Sequence, residues 1–323
     1  MQIEDFTQQL NTWGQHKVPF LFLIDFELKK PMAWKLDQIN SAEMLYSLNG
    51  FSNAPLQKPA ERAIQLKKIP ISWEEYNDKF NTVHKHLSRG DSFLINLTIK
   101  SKIELNHSLQ ELFYLSDAKY KCWFRNQFLF FSPEIFIQIK DQRVFSYPMK
   151  GTIDASITNA REIILDNRKE LAEHITIVDL IRNDLSQIAT NVKISRFRYV
   201  EEIATHDKTL LQVSSEIVGD LPDHFQSQLG NILLSLLPAG SVSGAPKKKT
   251  CQIIKETEGE DRGYYTGVFG YFDGKNLDSG VAIRFIEHKD RATYFRSGGG
   301  ITAQSCAEEE YVEAIQKIYV PVA

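Results

Sequence analysis

Strand-like segments come in adjacent groups along this chain, not singly between helices, and that order constrains the fold more than any other feature. SFLINLTIKS (92–101), KCWFRNQFLFFS (121–132) and IFIQIKDQRVFSY (135–147) are rich in β-branched and aromatic residues and are broken by short turns. YTGVFGYFDGKNLDSGVAIRFIEH reads as a hairpin around Asp273-Gly274. VPFLFLIDFELKK (18–30) adds a strand, and others fall near 191–199, 210–218 and 291–297. Parallel pairing needs a long crossover between strands, and these groups leave no room for one. The spacing predicts an α+β fold, with antiparallel sheets and helices outside them.

Helix ends are marked chemically. SWEEYNDKFNTVHKHLSRGD opens with Ser72 and Glu75 in a capping box and closes at Gly90. SLQELFYL repeats the device with Ser108 and Glu111. A long helix is expected over about 158–185, another over about 223–236 stopped by Pro238, and a last one over about 307–319. Residues 51–70 are polar and proline-marked and read as loop. With no repeat, linker or sharp boundary, the chain reads as a single domain, 1–323.

The 38 basic and 41 acidic residues leave a net charge of −3, which offers no electrostatic footprint for nucleic acid or a membrane surface. Three scattered cysteines, Cys122, Cys251 and Cys306, have neither the even count of a disulfide framework nor CxxC spacing for zinc. The longest apolar run, PFLFLIDF, is far too short to span a membrane, and the N-terminus lacks a charged-then-apolar leader. A soluble, cytoplasmic protein is expected.

Two helices each carry a carboxylate pair. Glu170 and Glu173 lie three apart on one helix; Glu310, Glu313 and Lys317 share a face of the last one. Together they could hold a hard cation such as Mg2+, which takes oxygen ligands and keeps waters that a substrate carboxylate can replace. The alternative is two solvated helix faces. LLPAGSVSGAPKKKT (236–250) is no Walker A loop, because Gly240 and Gly244 are four apart and Ala245-Pro246 precede Lys247. Its residue types fit an anion-binding turn with Pro246 at the first helical position, or a plain loop-to-helix junction.

SGGGIT (297–302) places three glycines after a strand, where free N–H groups in a turn could cradle a carboxylate. Arg284, inside the apolar VAIRF, suits bidentate carboxylate binding or faces outward. Glu134, in SPE, follows an apolar strand; apolar walls raise a carboxyl pKa, as a general acid requires, though a turn residue reads the same way. His174 and His206 are candidates for acid–base work, with no Ser or Cys nucleophile motif near them. In SYPMKGTID, Lys150 stands before a glycine that permits close backbone approach to a ligand. It is a phosphate clamp, a nucleophile or a solvated side chain.

Taken in order, RGDSFLINLT (89–98), FSPEIF (131–136), YPMKGT (147–152), ELAEHITIVDLIRNDL (170–185), PAGSVSGAPK (238–247), RGYYTG (262–267), VAIR (281–284), GGGIT (298–302) and EYVEAIQK (310–317) resemble the chorismate-utilising enzymes. The resemblance covers about residues 72–319. It implies one large domain of two antiparallel sheets packed together with helices around them, residues 72–319 forming the catalytic core and 1–70 a short divergent N-terminal part. It implies Mg2+ held at Glu173 and Glu313, supported by Glu170 and Glu310, on the ring carboxylate of chorismate. Arg284, Tyr265 and Gly298, Gly299 and Gly300 match positions that hold the enolpyruvyl carboxylate. Thr152 and Lys317 match substrate-side positions, and Glu134 matches the family's proposed general acid.

Lys150 divides the family. Anthranilate synthases resemble this stretch with PIAGT, aminodeoxychorismate synthases with PIKGT, and here it reads PMKGT. The resemblance therefore points to aminodeoxychorismate synthase component I, which makes 4-amino-4-deoxychorismate for p-aminobenzoate and folate biosynthesis. A partly desolvated lysine amine can be a nucleophile. Attack at ring C2 with loss of the C4 hydroxyl, then addition of ammonia at C4, gives the 4-amino product. The alternatives are anthranilate synthase component I and a non-catalytic chorismate-binding subunit. Gln212 stands where relatives carry a substrate-touching histidine, Ala303-Gln304 where they carry Ala-Asp, and no LLES segment of a tryptophan pocket is found. No cysteine reads as a glutaminase elbow, so ammonia is expected from a separate glutamine amidotransferase subunit. No lyase domain follows, so the product is expected to leave as aminodeoxychorismate.

Overall fold

The computed structural model describes residues 1–57, 62–204 and 209–322. α1 (Ile3–Gln15), β1 (Phe20–Ile24), β2 (Met32–Lys35), β3 (Met44–Leu48), β4 (Phe51–Ser52) and β5 (Leu66–Ile69) precede α2 (Trp73–Ser88). Next come β6 (Leu94–Leu105), α3 (Leu109–Leu115), β7 (Tyr120–Phe124), β8 (Phe128–Ser132), β9 (Ile135–Lys140), β10 (Arg143–Ser146) and β11 (Met149–Asp154). α4 (Ala160–Asp166), α5 (Arg168–Leu185), β12 (Thr190–Ala204), β13 (Thr209–Asp220), α6 (Leu229–Ser235), β14 (Gly244–Ala245) and α7 (Lys247–Glu258) follow. The chain then forms β15 (Val268–Phe272), β16 (Leu277–Val281), β17 (Phe285–Lys289), β18 (Ala292–Ile301) and α8 (Ala307–Gln316).

The described strands form two sheets. One runs β11-β13-β10-β9-β16-β15-β1-β2 with β12 on β13; the other runs β14-β6-β18-β17-β8-β7-β3-β4 with β5 on β6. Every described pairing is antiparallel, as the grouped strands require. β1 explains why its sequence does not alternate. Phe20, Phe22 and Ile24 join a core beneath α1 and α6, while Leu21 and Leu23 meet Tyr120, Phe130 and Phe285 of the second sheet. A strand buried on both faces reads as a continuous apolar run. α2, α7 and α8 cover the outer face of the second sheet through Tyr76, Phe80, Val83, Ile253, Ile254 and Ala314. Among the described residues no helix is long and apolar enough to cross a membrane.

Three expectations change. Residues 51–70, read as loop, carry β4 and β5, which pair with β3 and β6. The helix foreseen over 158–185 is two, because Asn167 is extended and its side chain accepts from the Glu170 N–H at 3.0 Å, capping α5 afresh. α1 was not foreseen. It buries Phe6 and Leu10, and Gly14 lies so close to the turn that precedes α6 that an added Cβ would stand 2.0 Å from the Gln226 carbonyl oxygen.

Candidate active site

Lys150 owes its place to a bulge. β11 meets β13 through Met149–Ser214 and Thr152–Gln212, so Lys150 and Gly151 together oppose one residue. An extra residue kinks a strand and re-aims a side chain, and Gly151 takes the positive φ of +79° that the kink needs. Lys150 Nζ donates to Glu173 Oε2 at 2.8 Å, its side chain 27% exposed and that of Glu173 9%. Burial disfavours the charge on Lys150, but the carboxylates of Glu173, Glu170 and Glu313 together outweigh it and hold the ammonium above the usual lysine range.

The three glycines do not form the expected turn. Gly298, Gly299 and Gly300 lie inside β18, opposite Thr98, Leu97 and Asn96 of β6. β17 begins only at Phe285, opposite Arg296, so among the described residues Ser297–Ile301 have no strand on their second edge. Close approach excludes a side chain at Gly298, where a Cβ would lie 2.2 Å from the Leu97 carbonyl oxygen, and the next two glycines bring the strand into contact range of charged groups. A Cβ on Gly299 would lie 3.4 Å from Glu310 Oε2, 3.5 Å from Glu313 Oε1 and 3.6 Å from Lys317 Nζ. On Gly300 it would lie 3.6 Å from Lys150 Nζ. Lys317 Nζ donates to the Gly298 carbonyl at 3.0 Å and pairs with Glu313 at 2.7 Å. The two carboxylate-bearing helices, on different sheets, therefore meet across Lys150 and the glycine strand.

Glu134 joins the same place. Burial pushes its carboxyl above the ordinary range, against opposing effects of the Ser241 hydrogen bond and the charges of Arg284, Lys150 and Lys317. A carboxyl raised above 4.5 in the folded state binds more protons folded than unfolded, so stability falls as pH climbs from about 4.5 through the folded value. Glu134→Gln removes that slope: its Tm relative to wild type should rise between about pH 4.5 and pH 7, read by thermal melts. An unchanged difference across that range would place the ionised form in the native site.

Arg284 does not face outward. Its Nε is buried without a hydrogen-bond partner, its φ is +51°, and its guanidinium lies 5.1 Å from the Tyr319 ring. Tyr265 is buried, and that burial raises its hydroxyl above the ordinary range. Thr152 and Gln212 are register partners. No hydrogen bond among the described residues ties either to Lys150, Glu134 or Arg284.

Three roles were not foreseen. Ser241 donates its hydroxyl to Glu134 Oε1. Lys247, in the expected anion-binding turn, instead pairs with Asp184 of α5 at 2.8 Å and donates to the Leu236 carbonyl at 2.8 Å. Pro246 is the residue before α7, not its first. Arg262, 1% exposed, grips Glu258 with Nε at 2.8 Å and Nη2 at 2.6 Å. A charged residue buried without flanking apolar periodicity leaves no sequence signal. His174 is buried against Ser215 at 2.7 Å, and burial, with Arg198 and Lys150 nearby, lowers it to about 4, so it is neutral. His206 lies outside the described residues. Cys122 is buried in the inter-sheet core, and burial raises its thiol.

Hard oxygen donors on α5 and α8 suit Mg2+ in chemical type. Among the described residues no three Asp, Glu, His or Cys side chains form a ready coordination sphere. The donor set still fits, because Glu310 and Glu313 flank a glycine cradle that a Cβ would fill and Glu173 holds a cation already.

A family described as chorismate binding enzyme matches residues 7–323. An uncharacterized PabA-like protein of Pasteurella multocida is 49% identical over 323 residues, all of both chains. Aminodeoxychorismate synthase component 1 of Salmonella typhimurium is 31% identical over 262 residues, 76% of this chain and 56% of that one. The crystal structure of anthranilate synthase component I from Streptococcus pneumoniae superposes with a TM-score of 0.66 at 28% identity, covering 78% of this chain and 58% of that chain. The chain thus spans little more than half the length of the latter two. With that match over nearly its whole length, on the two-sheet fold described above, the chain belongs to the chorismate-binding enzyme family.

Proposed function

We propose that this chain is component I of an aminodeoxychorismate synthase, converting chorismate and ammonia to 4-amino-4-deoxychorismate. One observation carries the reading: the bulge at Lys150-Gly151 sets a lysine amine among carboxylates of both helices, flanked by the glycine strand. Glu173 and Glu313, supported by Glu170 and Glu310, would hold a Mg2+ ion, which supplies positive charge for the ring carboxylate. The open edge of β18 and the Arg284 guanidinium suit the second carboxylate, since a buried donor without a partner favours an anionic acceptor.

Lys150 must first give up both a proton and its pair with Glu173. Its Nζ then bonds to ring C2 as the C4–O bond breaks, and Glu134, held by Ser241, gives its proton to the departing oxygen, which leaves as water. Ammonia bonds to C4, the C2–Nζ bond breaks, and its electron pair returns to the lysine. Ammonia comes from a separate glutamine amidotransferase subunit in this reading.

Product analysis tests it. The purified chain is incubated with chorismate, Mg2+ and excess ammonium salt at alkaline pH, and products are resolved by chromatography and mass. Aminodeoxychorismate supports the assignment; anthranilate assigns the chain to the other branch; chorismate binding without turnover makes it a binding subunit. Tyr319→Leu tests the Arg284 part. Losing a cation–π contact worth about 0.5–1 kcal/mol should raise KM for chorismate about two- to fivefold with kcat unchanged. A fall in kcat at constant KM would remove Tyr319 and Arg284 from ground-state binding.

A further inference from the structure

We propose that Lys150 is the resident counter-cation of the glutamate cluster, so that Glu173 exchanges Lys150 for a divalent cation and the amine is released in the same event. The inference rests on the metal reading above and adds an order to it: the amine becomes available only once the cation is in place.

The geometry points one way. Glu173 is buried, and a buried carboxylate without a cation is costly. Lys150 Nζ meets that need at 2.8 Å. The ammonium comes from the first sheet, yet Gly300 of the second sheet passes so close that a Cβ there would lie 3.6 Å from Nζ. Glu170 and Glu313, on separate helices, both act on it. Nζ therefore lies against Glu173 and within electrostatic reach of Glu170 and Glu313, so a metal ion drawn to these carboxylates would compete with it for Glu173. Lys317 already pairs with Glu313 and the Gly298 carbonyl, so Glu313 offers Lys150 no equal alternative at that corner. The amine is left to turn toward substrate.

Mg2+ binding to the whole chain, read by calorimetry and by thermal shift, tests this in wild type, Lys150→Gln and Lys150→Arg. Removing the competing charge should tighten Mg2+ binding about tenfold in Lys150→Gln, whereas Lys150→Arg should bind no tighter than wild type. Should Lys150→Gln fail to fold, the wild type suffices. Labelling of Lys150 by an amine-reactive ester, read by peptide mass, should increase when Mg2+ is added. Equal or weaker Mg2+ binding in Lys150→Gln, or labelling that Mg2+ leaves unchanged or reduces, overturns the exchange while the metal reading stands. No saturable Mg2+ binding by wild type or variant removes the metal reading, and the exchange with it.

Discussion

Lys150→Ala is expected to abolish formation of the 4-amino product, with kcat down roughly a thousandfold or more. The size follows from what is lost. A nucleophile that divides one hard displacement into two leaves no equivalent path when it is removed, because ammonia reaches C4 only after the ring has been activated at C2. Chorismate affinity should change little, since Arg284 and the glycine strand are untouched. Whatever residual product forms should carry nitrogen at C2, where ammonia can attack directly. Lys150→Arg refines the test. It restores a cation beside Glu173, which is held at 2.8 Å in the wild type, but a guanidinium does not act as a nucleophile. Rescue by arginine would make Lys150 an electrostatic partner only; equal loss in both variants supports the covalent route. Mass spectrometry of the quenched wild-type enzyme adds a direct readout, a chorismate-derived adduct on the peptide containing Lys150.

How much of this was legible beforehand differs by residue. The antiparallel layout was, because hairpin grouping is local. The carboxylate pairs were, because three-residue spacing sets a helix face without reference to anything else. The bulge at Lys150-Gly151 was not: it exists only relative to β13, far along the chain, and no local pattern fixes that register. The glycines show the same limit. Three in a row suggest a turn, but here they continue β18: Gly298 is crowded by the Leu97 carbonyl and Gly300 more mildly by Leu94, while Gly299 lies in ordinary contact range of Glu310 and Glu313. α1 could have been read, since Ile3, Phe6, Leu10 and Trp13 recur at helical spacing in the N-terminal segment. Ser241 gave no clue of its own, because a serine in a loop carries no direction until the β8–β9 turn bearing Glu134 is placed against it.

The largest expected loss of stability comes from a residue that touches no reacting atom. Arg262→Met should cost about 3–5 kcal/mol, read as a lower denaturation midpoint at unchanged slope in urea. The guanidinium is 1% exposed and binds both oxygens of Glu258, and it also donates to the carbonyls of Val242 at 2.8 Å and Asn96 at 2.7 Å. Without it Glu258 keeps only the Thr98 amide and hydroxyl, each at 2.9 Å, for a charge buried in protein. A change below about 1 kcal/mol would mean that water reaches Glu258 and that the pair is not truly buried. The double variant Glu258→Met, Arg262→Met separates stability from placement. Apolar replacement of a whole buried pair is often neutral, so the double variant should regain most of the lost stability. It should not regain activity. Val242 adjoins Ser241, the partner of Glu134, and Asn96 lies opposite Gly300, so the two carbonyls held by Arg262 fix both walls of the site. A stable but slow double variant would assign the buried pair to aligning the general acid with the glycine strand. A stable and fast one would confine it to the core.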